Sequence, residues 1–287
     1  MINLKSIRVK DVMTSDVHSI EVPGHRLDAL NLMKHRDISG LPVVAKGTKN
    51  FLGIITRHDI YEKPDKEQIA MLYNTDIQTI TQHSTVAKLV DRFLESKQYW
   101  FPVLGTDKKT LAGIVTPSDL LKFVEVHGKG QSVIDFMGHR SCIPIYGKTP
   151  LTVALHTLRI TRIPALPIIN GSAKIIGIVS DMDVFRMLNS EENTKKGITL
   201  DAEDDDWTWE GIRNFQQIIS MPSVKLPNVT VDEIMVKKVK FLYPHSDVAR
   251  AAKTMRINNI GQLPVCDSND VLIGMIYNYD LLPVLQA

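Results

Sequence analysis

The 287-residue chain is poor in the features that mark whole classes of protein. It holds two cysteines, Cys142 and Cys266, both in apolar, strand-like surroundings, which reads as two small core residues rather than a disulfide framework. Lys and Arg number 34 against 32 Asp and Glu, for a net charge of +2, and the two signs are interleaved. That leaves no basic run or face of the kind a dedicated nucleic-acid binder presents. The longest apolar runs, such as Ala165–Ile169 and Leu281–Leu285, are far too short to span a bilayer. The first residues, Met-Ile-Asn-Leu-Lys, lack the apolar core of a signal peptide, so cytoplasmic residence is expected. Nine histidines show no His-x-x-x-His or similar spacing on one predicted helix, which gives a metal site no support. Nucleophile elbow, Walker loop and dinucleotide fingerprint are missing as well, and a non-enzymatic role is expected.

What is present is repetition. Gly-Ile-Ile-Thr-Arg-His-Asp at positions 53–59 returns as Gly113-Ile114-Val115-Thr116-Pro117-Ser118-Asp119 and as Gly177-Ile178-Val179-Ser180-Asp181-Met182-Asp183. It comes once more, altered, as Gly274-Met275-Ile276-Tyr277-Asn278-Tyr279-Asp280. A hydrophobe-Pro-hydrophobe segment, Leu41-Pro42-Val43, Phe101-Pro102-Val103, Leu166-Pro167-Ile168 and Leu263-Pro264-Val265, places its proline ten or eleven residues ahead of each glycine. Met13, Tyr73 and Met137 stand forty residues ahead of theirs, and Met235 thirty-nine. Three landmarks in fixed phase mean that one supersecondary unit occurs four times.

A hydrophobic fraction of 44% and a charged fraction of 23% are those of an ordinary globule, and the length suits about two domains. A single copy of about 55–60 residues buries too small a share of its surface to be secure alone. Pairing the copies is the remedy. The chain therefore reads as two modules, 1–128 and 129–287, with copies at about 9–64, 69–127, 133–190 and 231–287 and an insert at 191–230.

Each copy reads as α/β, strand-helix-strand-strand-helix. In copy one, alternation over Asp16–Val22 predicts a half-buried strand ended by Pro23-Gly24, and Leu27, Ala29, Leu30 and Met33 predict an amphipathic helix to about His35. Strands at Leu41–Val44 and Phe51–Ile55 join through a polar hairpin, and a second helix opens at Arg57 or His58. Copy three should start its first helix with Thr149 as cap and Pro150 in the first turn, copy four with Ser246-Asp247. Motif aspartates are spaced by 60, 64 and 97 residues, which locates the insert. It carries an acidic run, Asp201–Asp206, then Trp207-Thr208-Trp209 and a helix expected over Glu210–Ser220.

The repeated Gly-h-h-Thr-x-x-Asp admits two compatible readings. In one, Thr56 and Asp59 form a capping box that closes the second helix. In the other, the free N–H groups of that helix favour a phosphate while Asp59 accepts hydrogen bonds from the vicinal hydroxyls of a ribose. Gly53 then leaves room for a close approach, and Ile20 and Leu41-Pro42 supply apolar walls for a purine.

On these residues the chain resembles the CBS domain, named for cystathionine beta-synthase, whose copies pair head to head into a Bateman module. Nearly the whole of Val9 to Leu285 is covered apart from the third connection, and the four copies are similar to archaeal four-CBS proteins that resemble the gamma subunit of AMP-activated protein kinase. The resemblance implies two modules forming a flat disc with clefts for AMP, ADP or ATP, or for the related S-adenosylmethionine or methylthioadenosine. Thr56 with Asp59, Thr116 with Asp119 and Ser180 with Asp183 are then the hydroxyl and ribose-binding pairs, and His18, Gln78 and Cys142 lie beside the adenine. Asp280 is the fourth such aspartate, with Tyr277 in place of its hydroxyl companion.

Phosphate-binding members often carry Arg or His just before the Leu-Pro segment, where this chain has Ser39-Gly40, Tyr99-Trp100, Pro164-Ala165 and Gly261-Gln262. Arg57 and His58 inside the first motif are candidate substitutes. So are Lys88, Arg92, Arg159, Arg162, Arg250 and Arg256, each also expected as a solvated helix residue. The implied role is a regulatory sensor acting on an unidentified partner protein, associating as a homodimer, with neither membrane nor nucleic acid as partner. The alternative is a scaffold or interaction module whose clefts are vestigial.

Overall fold

Proline decides where sheet pairing begins in every copy. In the computed structural model, which describes residues 3–63, 65–96, 98–138, 142–180, 182–183 and 229–286, copy one runs β1 (Ile20–Val22), α1 (Arg26–Arg36), β2 (Gly40–Ala45), β3 (Phe51–Thr56) and α2 (Arg57–Glu62). β2 lies in the middle, parallel to β1 and antiparallel to β3. Pairing with β1 starts at Ile20 opposite Val43, one residue past Pro42. Pro42 has no N–H to give a ladder, so the strand expected from Asp16 is cut to three residues and His18 lies ahead of it.

The same offset recurs. Copy two has β4 (Ile80–Thr81), α3 (Val86–Ser96), β5 (Phe101–Leu104), β6 (Leu111–Val115) and α4 (Pro117–His127), with Ile80 opposite Val103. Copy three has β7 (Ile145–Tyr146), α5 (Leu151–Thr161), β8 (Ala165–Ile169) and β9 (Ile175–Ser180), with Ile145 opposite Ile168. In copy four a short helix α6 (Val231–Ile234) precedes α7 (Val248–Asn258), β10 (Gln262–Cys266) and β11 (Leu272–Tyr277), and a single parallel bridge, Leu242 to Val265, stands where the others have a first strand.

Caps and turns repeat too. α1, α5 and α7 end on left-handed residues, Asp37, Arg162 and Asn259. Each hairpin holds one residue of positive φ, Gly47, Lys108, Ala173 and Asp270. Two capping details differ from expectation. Pro150, not Thr149, is the N-cap of α5, because its own φ of −58 combines with an extended ψ of 140. The second helix of copy four is a 3-10 helix, Asn278–Leu285, with Pro283 inside it. The acidic run and the helix expected at 210–220 lie outside the described residues.

Neighbouring copies exchange their leading turns. The 3-10 turn Val9–Asp11 of copy one hydrogen-bonds copy two, Val9 N to Ser84 O at 2.9 Å, and the turn Ile69–Met71 of copy two returns the contact, Ile69 N to Gly24 O at 3.0 Å. Copies three and four repeat it, Val133 N to Ser246 O at 2.9 Å and Val231 N to Thr149 O at 3.0 Å. A buried arginine ties down the first exchange. Arg26, 2% exposed at the start of α1, donates to Ile60 O and Lys66 O, each at 3.0 Å, and so anchors the charged stretch between copies one and two.

Helices supply the contact between the pairs. α4 packs on α7 and on the 3-10 helix Asn278–Leu285, and copies two and four share one apolar core, with Phe93, Phe101, Leu120, Met255 and Leu281 inside it. Copies one and three each have a separate core, around Leu30 and Met33 in one and Leu151 and Leu166 in the other.

Candidate functional site

Each motif places an aspartate at the junction of a strand and the following helix. At the end of β3, Thr56 N and Thr56 Oγ1 both donate to Asp59 Oδ2, at 2.8 and 2.5 Å, and Asp59 N donates back to Thr56 Oγ1 at 3.1 Å. Thr116 N and Oγ1 donate to Asp119 Oδ2 at 2.7 and 2.9 Å. Ser180 N and Oγ donate to Asp183 Oδ2 at 2.8 and 2.6 Å. The capping box is therefore real in three copies, and it consumes the same carboxylate oxygen every time. In copies one and two the other oxygen, Oδ1, takes no hydrogen bond among the described residues. All three aspartates are half-buried. Burial raises the Asp119 carboxyl above the ordinary 3.8, against the lowering pull of the Thr116 donors and of Lys122.

In copy four the backbone half of the box survives. Tyr277 N donates to Asp280 Oδ2 at 2.9 Å, and the position of the hydroxyl residue is taken by a phenol.

The glycines serve a different purpose from the one expected. A Cβ at Gly53 would collide with Asn74 O and stand 2.6 Å from Tyr73 Cδ2, both in copy two. At Gly113 it would stand 2.6 Å from Met13 Sδ and 2.8 Å from Thr14 O in copy one. Met235 fills the corresponding place at Gly177, and Met137 Cε lies 2.5 Å from it at Gly274. The room beside each glycine belongs to the paired copy, not to a ligand. Leu41 is likewise a core residue, fully buried with Leu30 and Met33, and forms no cleft wall; Ile20, half-buried, is the one expected wall residue with open surface.

His18 is half-buried in the extended stretch before β1. Gln78 holds the equivalent place before β4, exposed and clamped: its N–H donates to Gln98 Oε1 at 3.1 Å, Gln98 Nε2 donates to its carbonyl at 2.9 Å, and Arg92 Nη1 donates to its Oε1 at 3.3 Å. Cys142 is half-buried at the same point of copy three, and Cys266 is buried; both are free thiols, pushed up to about 11 by burial. Trp100 reaches out of copy two: its Cζ2 lies 3.7 Å from a Cβ built on Gly40, the same point that Thr56 Cγ2 approaches to 3.3 Å. Tyr99, 40% exposed, instead faces Tyr279, with ring centroids 5.8 Å apart.

Residues between the hydroxyl and the aspartate meet across the two pairs, a feature the sequence reading missed. Arg57, buried at the start of α2, donates from Nη1 to Met182 Sδ at 3.5 Å, joining the motifs of copies one and three. Asn278 Nδ2 donates to Ser118 Oγ at 2.8 Å, joining copies four and two. Of the remaining candidate cations, Arg162 pairs with Glu62 at 2.9 Å and Arg256 with Glu125, both across the same divide. These positions vary from copy to copy, so no repeated residue type marked them.

The family profile described as CBS domain matches residues 9–65, 69–126, 133–190 and 231–287. Protein MJ1225 of Methanocaldococcus jannaschii is 23% identical over 275 residues, which cover 88% of this chain and 90% of the relative. Its crystal structure, described as that of a proposed archaeal homologue of the gamma subunit of AMP-activated protein kinase, superposes with a TM-score of 0.78 over 97% of this chain and all of that one, at 19% identity. A conserved protein of Pyrococcus horikoshii is similar over the same 97% and over all of its own chain, with a TM-score of 0.66 at 26% identity. With four matched repeats spanning most of its length, each built around the same strand-helix junction, the chain belongs to the CBS-domain family.

Proposed function

We propose that this protein is a non-catalytic regulatory sensor that binds an adenine-containing ligand, AMP, ADP or ATP in the simplest case and S-adenosylmethionine or methylthioadenosine as close relatives, at the strand-helix junctions of its CBS repeats. One observation carries the reading. Asp59 and Asp119 close their helices with Oδ2 alone, and Oδ1 accepts nothing among the described residues, so each half-buried carboxylate keeps an acceptor for a sugar hydroxyl while capping its helix. Capping uses Oδ2 alone, and a ribose diol can donate to the Oδ1 that this leaves at the surface.

The exchanged leading turns support operation as two modules, 1–128 and 129–287, each a pair of copies. Thr56, Asp59, Thr116, Asp119, Ser180 and Asp183 hold the ribose ends, Arg57 lies where a phosphate of copy one or three would extend, and His18 and Gln78 stand beside the base. A bound ligand signals by favouring one placement of the pairs over another, since only differential affinity shifts such an equilibrium. The regulated partner is a separate protein, and the working form is a cytoplasmic homodimer.

Isothermal titration of the full chain against AMP, ADP, ATP, S-adenosylmethionine and methylthioadenosine tests the proposal. Binding of at least one, weakened by about 1–3 kcal/mol in Asp59→Ala through loss of a charged acceptor, is the expected result. Absence of heat and of any thermal shift with all five leaves a scaffold with unused clefts.

A further inference from the structure

Tyr277 and Gly138 set the fourth cleft apart from the others. At the end of β11, Tyr277 has the extended backbone of its counterparts, φ −111 and ψ 156 against −112 and 163 at Thr56 and −127 and 165 at Thr116. Its N–H donates to the motif aspartate as theirs do. Its Cβ therefore leaves the strand in the same direction, toward the carboxylate. Along that direction the other copies hold one hydroxyl group and are half-buried, whereas copy four holds an aromatic ring and is 2% exposed. A larger side chain more completely enclosed at the same position fills the space beside the carboxylate instead of projecting from it.

The far side of Asp280 meets copy three. A Cβ at Gly138 would stand 2.5 Å from Asp280 Oδ1 and 3.1 Å from its Cγ, so the Asp280 carboxylate lies in the space that a side chain at this point of copy three would take. The corresponding positions in the other copies, Thr14, Asn74 and Val236, are exposed like Gly138 but carry side chains. The residues that follow Tyr277 are committed to copy two: Asn278 to Ser118 Oγ, and the Tyr279 hydroxyl to Phe93 O.

We propose that the fourth cleft is filled by the protein's own Tyr277 and takes no nucleotide, so that the chain binds at most three adenosine ligands and copy four acts as a permanently closed joint against copy two. This rests on the adenosine-binding reading of the motif. It withdraws Asp280 from the set of ligand-binding aspartates.

AMP titrated calorimetrically into the full chain and into its Asp280→Ala, Tyr277→Phe and Tyr277→Ser variants counts the sites. The expected result is one stoichiometry, no higher than three, for the parent, Asp280→Ala and Tyr277→Phe, with an additional site in Tyr277→Ser. Tyr277→Ser should also melt about 5 °C or more below Tyr277→Phe, because removal of an enclosed ring leaves a void. Loss of a site in Asp280→Ala overturns the proposal, and so does a Tyr277→Ser chain that melts together with Tyr277→Phe. Should the parent bind no AMP at all, the ligand reading fails on its own, and the melting comparison still decides whether the ring fills the cleft.

Discussion

Met13 of copy one occupies the volume that a side chain at Gly113 of copy two would need, its Sδ 2.6 Å from the Cβ position. Thr14 O lies 2.8 Å from the same point and is backbone, which cannot swing aside as a thioether can. Gly113→Ala should therefore cost about 1–3 kcal/mol, the range for overpacking a closed site. Gly171→Ala, where nothing lies within 4 Å, is the control and should be near neutral. Urea unfolding of the two variants reads the difference.

Arg26 should behave as a clasp. Its guanidinium satisfies one carbonyl of α2 and one of the stretch between copies one and two, and Arg26→Ala leaves Ile60 O and Lys66 O without that donor. The expected loss is about 2–4 kcal/mol for two charge-assisted hydrogen bonds at a buried site, measured by the shift in urea midpoint at unchanged slope.

Ligand affinity in copy two should fall earlier on acidification than an ordinary carboxylate would allow. Burial raises the Asp119 carboxyl above 3.8, and the ionised form is the stronger acceptor for a diol. As pH drops through that raised value, Asp119 takes up its proton and its cleft weakens. The same shift has the opposite sign for folding: a raised carboxyl contributes most to stability at low pH and loses that contribution as pH rises past 3.8. AMP titrations between about pH 7 and about pH 4 should show this limb in the parent and a flat, weaker response in Asp119→Asn.

Neither cysteine should react readily in the native state. With both thiols pushed up to about 11, the thiolate is a very small fraction near neutral pH. Iodoacetamide followed by mass spectrometry should find Cys142 and Cys266 unmodified in buffer and both modified in urea.

Trp100 should report occupancy of the first cleft. The chain has three tryptophans, and replacing Trp207 and Trp209 by Phe leaves Trp100 beside the end of the copy-one motif. AMP should then change its emission, and Asp59→Ala should abolish the change at the same AMP concentration.

The repeating landmarks made the four units legible because glycine and proline impose backbone constraints that a sequence displays directly. Strand-helix-strand-strand-helix in copy one follows from local pattern, and the ends of α1, β2 and β3 and the start of α2 fall within one or two residues of expectation. The length of β1 was not legible locally. It depends on the missing N–H of Pro42, two elements away. Gly53 shows the other kind of failure: its smallness was visible, but what fills the space comes from Tyr73 and Asn74 of another copy, and no periodicity within one unit names a partner. The capping geometry of Thr56, Thr116 and Ser180 was readable because it is local. The unused second oxygen of Asp59 and Asp119 was not, since it depends on which tertiary neighbours arrive.

The traded turns carry an evolutionary implication. A lone copy duplicated or deleted would leave one sheet missing the stopper its sibling provides and one stopper with nowhere to lodge, so rearrangements of this gene should survive only when copies move two at a time.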